Sequence, residues 1–206
     1  MTYLRSLLLF ILLVLSLPTP ALPETAASSP NLPTGTTTDW WGMVQHDLQA
    51  REYHASHNGQ GLQAPNRRQD FRTYFEADGI RVVAREAAEH EELLRLHLDA
   101  LGRGETLRAV SAGEVTSQDN RVELRRPGLV EWYENRPEGL EQGFTLAERP
   151  TGEGDLVLRL QVSGATVQAV DGGVELRTTA GRRLRYGKLM VRDRSEERRV
   201  GKECRL

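Results

Sequence analysis

In LLRLHLDAL (93–101), Leu94, Leu96 and Leu98 alternate with Arg95, His97 and Asp99. Side chains two residues apart share one face of an extended strand, whereas a helix or a heptad needs spacings of three or four. The same alternation returns in RVELRR (121–126) and in DLVLRLQVS (155–163), where Leu156, Leu158, Leu160 and Val162 alternate with polar neighbours. Turn signals separate these runs. Asp78-Gly79 lies between FRTYF (71–75) and IRVVAR (80–85), Pro127-Gly128 precedes LVEWYEN, and Asp171-Gly172-Gly173 separates TVQAV from VELRTT. Short alternating runs joined by such dipeptides predict hairpins. A last hairpin opens at Ala180-Gly181 into RLRYGKLMVRD. Nine or ten strands of this kind predict a mainly β fold, an antiparallel sandwich or layered sheet with one wet face per strand. One short N-terminal helix is expected at 39–51, where Asp39 caps a run carrying Trp40, Trp41, Val44 and Leu48.

The two ends read differently from the body. Arg5 precedes the apolar run Leu7–Leu17; Pro18, Pro20 and small residues follow it. That is the pattern of a secretory signal peptide, assigned to 1–23 with cleavage between Ala21 and Ala27, and the run is too short for a spanning helix. Secretion or display at the cell surface follows, with no other membrane association. Residues 24–38 are a polar Ser/Thr/Pro linker expected to be disordered. The β-rich domain occupies 39–193. RSEERRVGKECRL (194–206) holds the single cysteine, Cys204, and no apolar period, so it is expected to be a disordered or artefactual tail. Setting aside that tail and Arg5 leaves 21 basic against 26 acidic residues, a net charge of −5. A domain of that sign does not suit nucleic acid, whose phosphates need clustered Lys and Arg. The body has no cysteine and must hold together without disulfides.

No nucleophile elbow, phosphate loop or dinucleotide fingerprint occurs. His54 and His57, with His46 upstream, have the wrong spacing to converge on one face of a strand, so no metal site is expected, and no cofactor. Glu131, Glu134, Glu138 and Glu141 crowd EWYENRPEGLEQ. Paired carboxylates can hydrolyse glycosides, but a charged surface hairpin carries the same residues, and no catalytic residue is assigned. Trp132 and Tyr133 could stack on a sugar, with Asn135 and Glu141 beside them, which makes these four the candidate ligand-binding residues. Phe144 is expected in the core. Arg182, Arg183, Arg185, Lys188 and Arg192 make the last hairpin basic, and Leu184, Tyr186 and Met190 form its apolar alternation. Such a hairpin is usually a solvated face; the alternative is an edge that charge keeps soluble until a partner domain docks.

EYHAS, APNR, RTYF, EWY and GLEQGFTL occur in order within 51–146, and GDLVLRLQVSG through LRYGKLMVRD continues the series. Over 40–193 this resembles the N-terminal β-rich module of large secreted bacterial proteins that carry FG-GAP-type or related propeller repeats. The resemblance implies downstream propeller repeats as the partner, in a chain that continues well past this one, and no catalytic residue. RSEERRVGKEC also resembles the in-frame translation of a common sequencing adapter, which implies native sequence ending near Asp193. Two functions stay open: a non-catalytic structural or interaction module, and a carbohydrate- or surface-binding domain with a polysaccharide ligand. A glutamate-based hydrolase is a third class.

Overall fold

The computed structural model describes residues 7–13, 51–86, 91–193 and 196–200. In chain order the strands are β1 (Leu7–Leu13), β2 (Ser56–Asn58), β3 (Gly61–Asn66), β4 (Phe71–Phe75), β5 (Gly79–Ala84), β6 (Glu92–Arg103), β7 (Thr106–Ala109) and β8 (Glu114–Gln118). They continue with β9 (Arg121–Arg126), β10 (Leu129–Arg136), β11 (Gly139–Leu146), β12 (Leu156–Ser163), β13 (Ala165–Val170), β14 (Gly173–Thr178), β15 (Arg183–Asp193) and β16 (Glu196–Val200). Every pairing is antiparallel, and the strands form two sheets. The first runs β13-β14-β15-β1-β11-β10-β9-β8, with β16 also on β15; the second runs β12-β6-β5-β4-β3-β2, with β7 also on β6. The layered β fold is therefore as the alternation predicts. The helix expected at 39–51 and the linker 24–38 lie outside the described residues, Arg51 excepted.

Consecutive strands pair because their turns are short, and the chain changes sheets only at defined points. Gly164 is one of them. It joins β12 of the second sheet to β13 of the first with φ 80°, and a Cβ there would lie 3.2 Å from the Leu93 carbonyl oxygen, so the switch needs glycine.

The inner faces of the sheets supply one core. Leu62, Phe71, Phe75, Ile80, Val82, Leu94 and Leu96 of the second sheet pack with Val122, Leu124, Tyr133, Leu140, Leu176 and Leu184 of the first. A smaller cluster joins Leu98 and Leu101 to Leu129, Phe144 and Leu146. Phe144 is fully buried, as its sequence position suggests. Each such side chain contributes about 1.5–3 kcal/mol relative to exposure.

Three features depart from the simple alternation. First, β15 is not one regular strand. Its pairing with β1 shifts register between Ile11 and Leu12, leaving Lys188 as the extra residue at φ 62°. A bulge of this kind flips side-chain parity. Leu184 and Tyr186 face the core before it, and Leu189 and Val191 pack against the second cluster after it. Met190, expected to continue the Leu184–Tyr186 face, is consequently 40% exposed. Second, the segment read as the apolar run of a leader supplies β1, in the middle of the first sheet. Leu9 stands opposite Phe144 on one side and Val191 on the other. Excision of residues 1–23 would take this strand away. Third, the segment read as a disordered tail supplies β16, which meets β15 at Val191↔Val200 and Asp193↔Glu196. The pairing bears on its backbone alone and leaves its origin open.

Candidate functional site

The hairpin β10–β11 carries every candidate ligand residue. Its register sets Glu131 opposite Phe144, Trp132 opposite Gly143, Tyr133 opposite Gln142 and Asn135 opposite Leu140. Odd positions of β10 face the other sheet and even positions face outward, the period-two rule of a strand. Trp132 and Tyr133 therefore point to opposite sides, and they are 2% and 0% exposed. They form no common platform and offer no open face for a sugar to stack on.

On the inner side Glu131 is wholly buried and fully engaged. Arg126 donates through Nη1 at 2.7 Å, the Tyr133 hydroxyl at 2.5 Å and Gln142 Nε2 at 2.7 Å. Gln142 Nε2 also reaches the Tyr133 hydroxyl at 3.0 Å, and the Tyr186 hydroxyl donates to Gln142 Oε1 at 3.0 Å. Arg126 spends its other donors on backbone carbonyls of Ser111 (2.7 Å) and Asp78 (3.3 Å). Because Asp78 sits in the β4–β5 turn, this guanidinium fastens the two sheets together. Burial, reinforced by the charge of Glu131 and by the hydrogen bond to it, raises the Tyr133 pKa well above the ordinary phenol value.

Asn135, also inward, is a clamp. Its Nδ2 donates to the carbonyls of Pro65 (2.8 Å) and Tyr53 (3.1 Å), and its Oδ1 accepts from Asn66 at 2.9 Å. Asn66 also donates to the carbonyl of Arg136 at 2.7 Å. The amide pair ties β3 to β10 and saturates groups that would be costly if buried unpaired.

On the outer face the charges alternate in a chain. Arg125 meets Glu123 at 2.5 Å, Arg121 meets Glu123 at 2.9 Å and Glu134 at 2.7 Å, and Arg136 bonds Glu134 and, at 3.2 Å, Glu141. Burial alone would raise the Glu134 pKa, but the hydrogen bonds from Arg121 and Arg136 outweigh it and hold it below the usual carboxylate value. The Trp132 ring lies under this chain, with the Arg121 guanidinium 4.4 Å from its centroid. Glu138 is exposed at the hairpin tip.

The four glutamates of the cluster are thus divided between two faces and a turn, and three of them are held by arginines. His54 lies 3.9 Å from Asp119, and His57 is exposed on β2, opposite Leu62. His46 lies outside the described residues. Among the described residues no three His, Cys, Asp or Glu side chains converge as metal ligands. Arg126, Gln142 and Asn66 form the buried networks and are not among the residues singled out from the sequence. A signal for two of them existed: Arg126 continues the inward series Val122, Leu124, and Gln142 sits between the inward Leu140 and Phe144.

Neither a protein-family model, a curated protein nor a solved structure matches the chain.

Proposed function

We propose that the chain is a non-catalytic structural and interaction module of an exported repeat protein, with propeller-type repeats of the same gene product as its partner. The observation that carries this reading is the state of the carboxylates: Glu131, Glu134 and Glu141 are each held in ion pairs with Arg126, Arg121 or Arg136. A general acid or nucleophile needs access to substrate and a tuned, free oxygen. These groups are instead consumed in fixing sheet register. A docking edge is at hand in β13, the outermost strand of the first sheet, where Val167 and Val170 are 48% and 37% exposed. An uncovered edge strand offers unpaired N–H and C=O groups to a neighbour.

Hydrogen exchange tests this. In a longer product of the same gene, the amides of Ala165–Val170 should exchange more slowly than in the chain ending at Asp193. Equal exchange rates would remove β13 as the docking edge. Hydrolysis of a glycoside that disappears in Glu134→Gln would overturn the non-catalytic reading.

A further inference from the structure

A cavity of about 320 Å³ opens between the chain entering β2 and the outer side of β3, β4 and β5. Arg51, Arg67, Arg72 and Arg85 line it with Glu52, and Asp70 and Glu86 stand beside Arg85; His54 and Ser56 complete the wall with Pro65. The position of the arginines follows from the strands. Arg72 stands on β4 opposite Pro65 and Val83, while its neighbours Phe71 and Thr73 are buried in the core. Arg85 follows the end of β5. Neighbouring strands thus carry two guanidinium groups to one place, and the loop after β3 adds Arg67.

Their partners are unevenly shared. Glu52 pairs with Arg67 at 3.2 Å. Arg85 pairs with Glu86, and its Nε lies 3.6 Å from Asp70 Oδ1, too long for a hydrogen bond. Among the described residues Arg72 has no ion pair. Its Nε is buried without a hydrogen-bond acceptor; that of Arg85 is too, but it faces Asp70 Oδ1, which is itself buried without a donor. Desolvated cationic N–H groups are costly to leave unmade, and the two side chains that carry these both line the one concavity. An anion held by the two guanidinium groups would offset that cost. Guanidinium forks match the oxygens of tetrahedral oxyanions and hold them by charge-assisted bonds.

We propose that this cavity binds a tetrahedral oxyanion, sulfate or phosphate, through Arg72 and Arg85. The site is separate from the β10–β11 hairpin and from the β13 edge, so it stands whether or not those serve docking.

The test is titration of the full chain with sodium sulfate and with sodium phosphate, at constant ionic strength maintained with sodium chloride. The readout is the ¹⁵N–¹H signals of the arginine Nε groups. Saturable shifts of the Arg72 and Arg85 signals are expected. Arg72→Gln should weaken binding at least about tenfold, the effect of one charge-assisted bond. Arg72→Lys keeps the charge but loses the fork, and should weaken binding as well. If Arg72→Gln does not fold, Arg85→Gln takes its place with the same expectation. Methyl phosphate separates two sources of the group. Affinity matching inorganic phosphate means the site accepts an ester-borne group; a loss above about tenfold means it takes the free ion. Linear, non-saturating shifts, or equal affinity in wild type and variants, would overturn the proposal.

Discussion

Replacing Gly143 by alanine isolates the contact that positions Trp132. A Cβ built on Gly143 falls 2.0 Å from Cζ2 and 2.2 Å from Cε2 of the indole, where carbon atoms prefer about 3.5–4.0 Å. The ring cannot simply retreat, because the Arg121 guanidinium caps it at 4.4 Å. Overpacking costs roughly 1–3 kcal/mol, and displacing the ring from Arg121 forfeits about 1 kcal/mol of cation–π attraction, so Gly143→Ala should lose about 2–4 kcal/mol. The φ of Gly143 lies outside the left-handed region, so the backbone itself accepts alanine. In a Trp132→Val background the obstacle is gone. There Gly143→Ala should be neutral, or stabilising by up to about 1 kcal/mol, since glycine weakens a strand interior. Urea melts of the four chains, followed by far-ultraviolet circular dichroism, give the cycle. A cost for Gly143→Ala that is the same in both backgrounds, within about 0.5 kcal/mol, would refute the account.

Other outcomes follow from the buried network and the bulge. Arg126→Met leaves Glu131 buried without its counter-charge and should cost about 3–5 kcal/mol in the same melts, whereas Arg125→Met on the exposed side should cost under about 1 kcal/mol. Tyr133→Phe should cost about 1–3 kcal/mol at neutral pH by stranding its partners. Because the folded-state pKa of Tyr133 is raised, its contribution is full below the unfolded value of about 10 and declines as pH rises above it; the gap between wild type and variant should therefore narrow in melts above about pH 10. Lys188→Gly should raise stability by about 0.5–1 kcal/mol, the relief of a left-handed residue less the added freedom of glycine in the unfolded chain, read as a higher melting temperature.

Strand limits were clearest in the sequence where alternation and punctuation coincide. FRTYF, RVELRR and the run 183–193 are the bounds of β4, β9 and β15. Alternation fails where a strand is too polar or too interrupted to display it. β7 (TLRA) and β8 (EVTSQ) hold one apolar position of note each, and β3 contains Pro65. Gly143 lies within β11, which begins at Gly139, and lets an indole cross the strand. The bulge at Lys188 is invisible to a fixed period, which places Met190 on the face opposite to the one it occupies. The candidate site fails for a reason the same period contains: adjacent strand residues face opposite ways, so Trp132 and Tyr133 cannot share a ligand. The buried Glu131–Arg126 pair needs the second sheet to be seen, because only packing distinguishes a charge in the core from one at a wet face.

The place of β1 has a kinetic meaning. Leu7–Leu13 pairs with Leu140–Leu146 and with Gly187–Asp193, so the first sheet becomes one surface only after segments remote in sequence meet. Loop-closure entropy grows slowly with length, so the equilibrium penalty is modest, but pairings this remote in sequence slow folding. Until they form, the meander β8–β11 and the meander β13–β15 are separate half-sheets. Each then presents an open edge, and these are the two edges, of β15 and β11, that β1 bridges in the finished sheet. A chain at that stage is an assembly waiting for one apolar ribbon. Whatever delays or removes that ribbon lengthens the lifetime of two sticky edges, and with it the time during which chains can pair with each other instead.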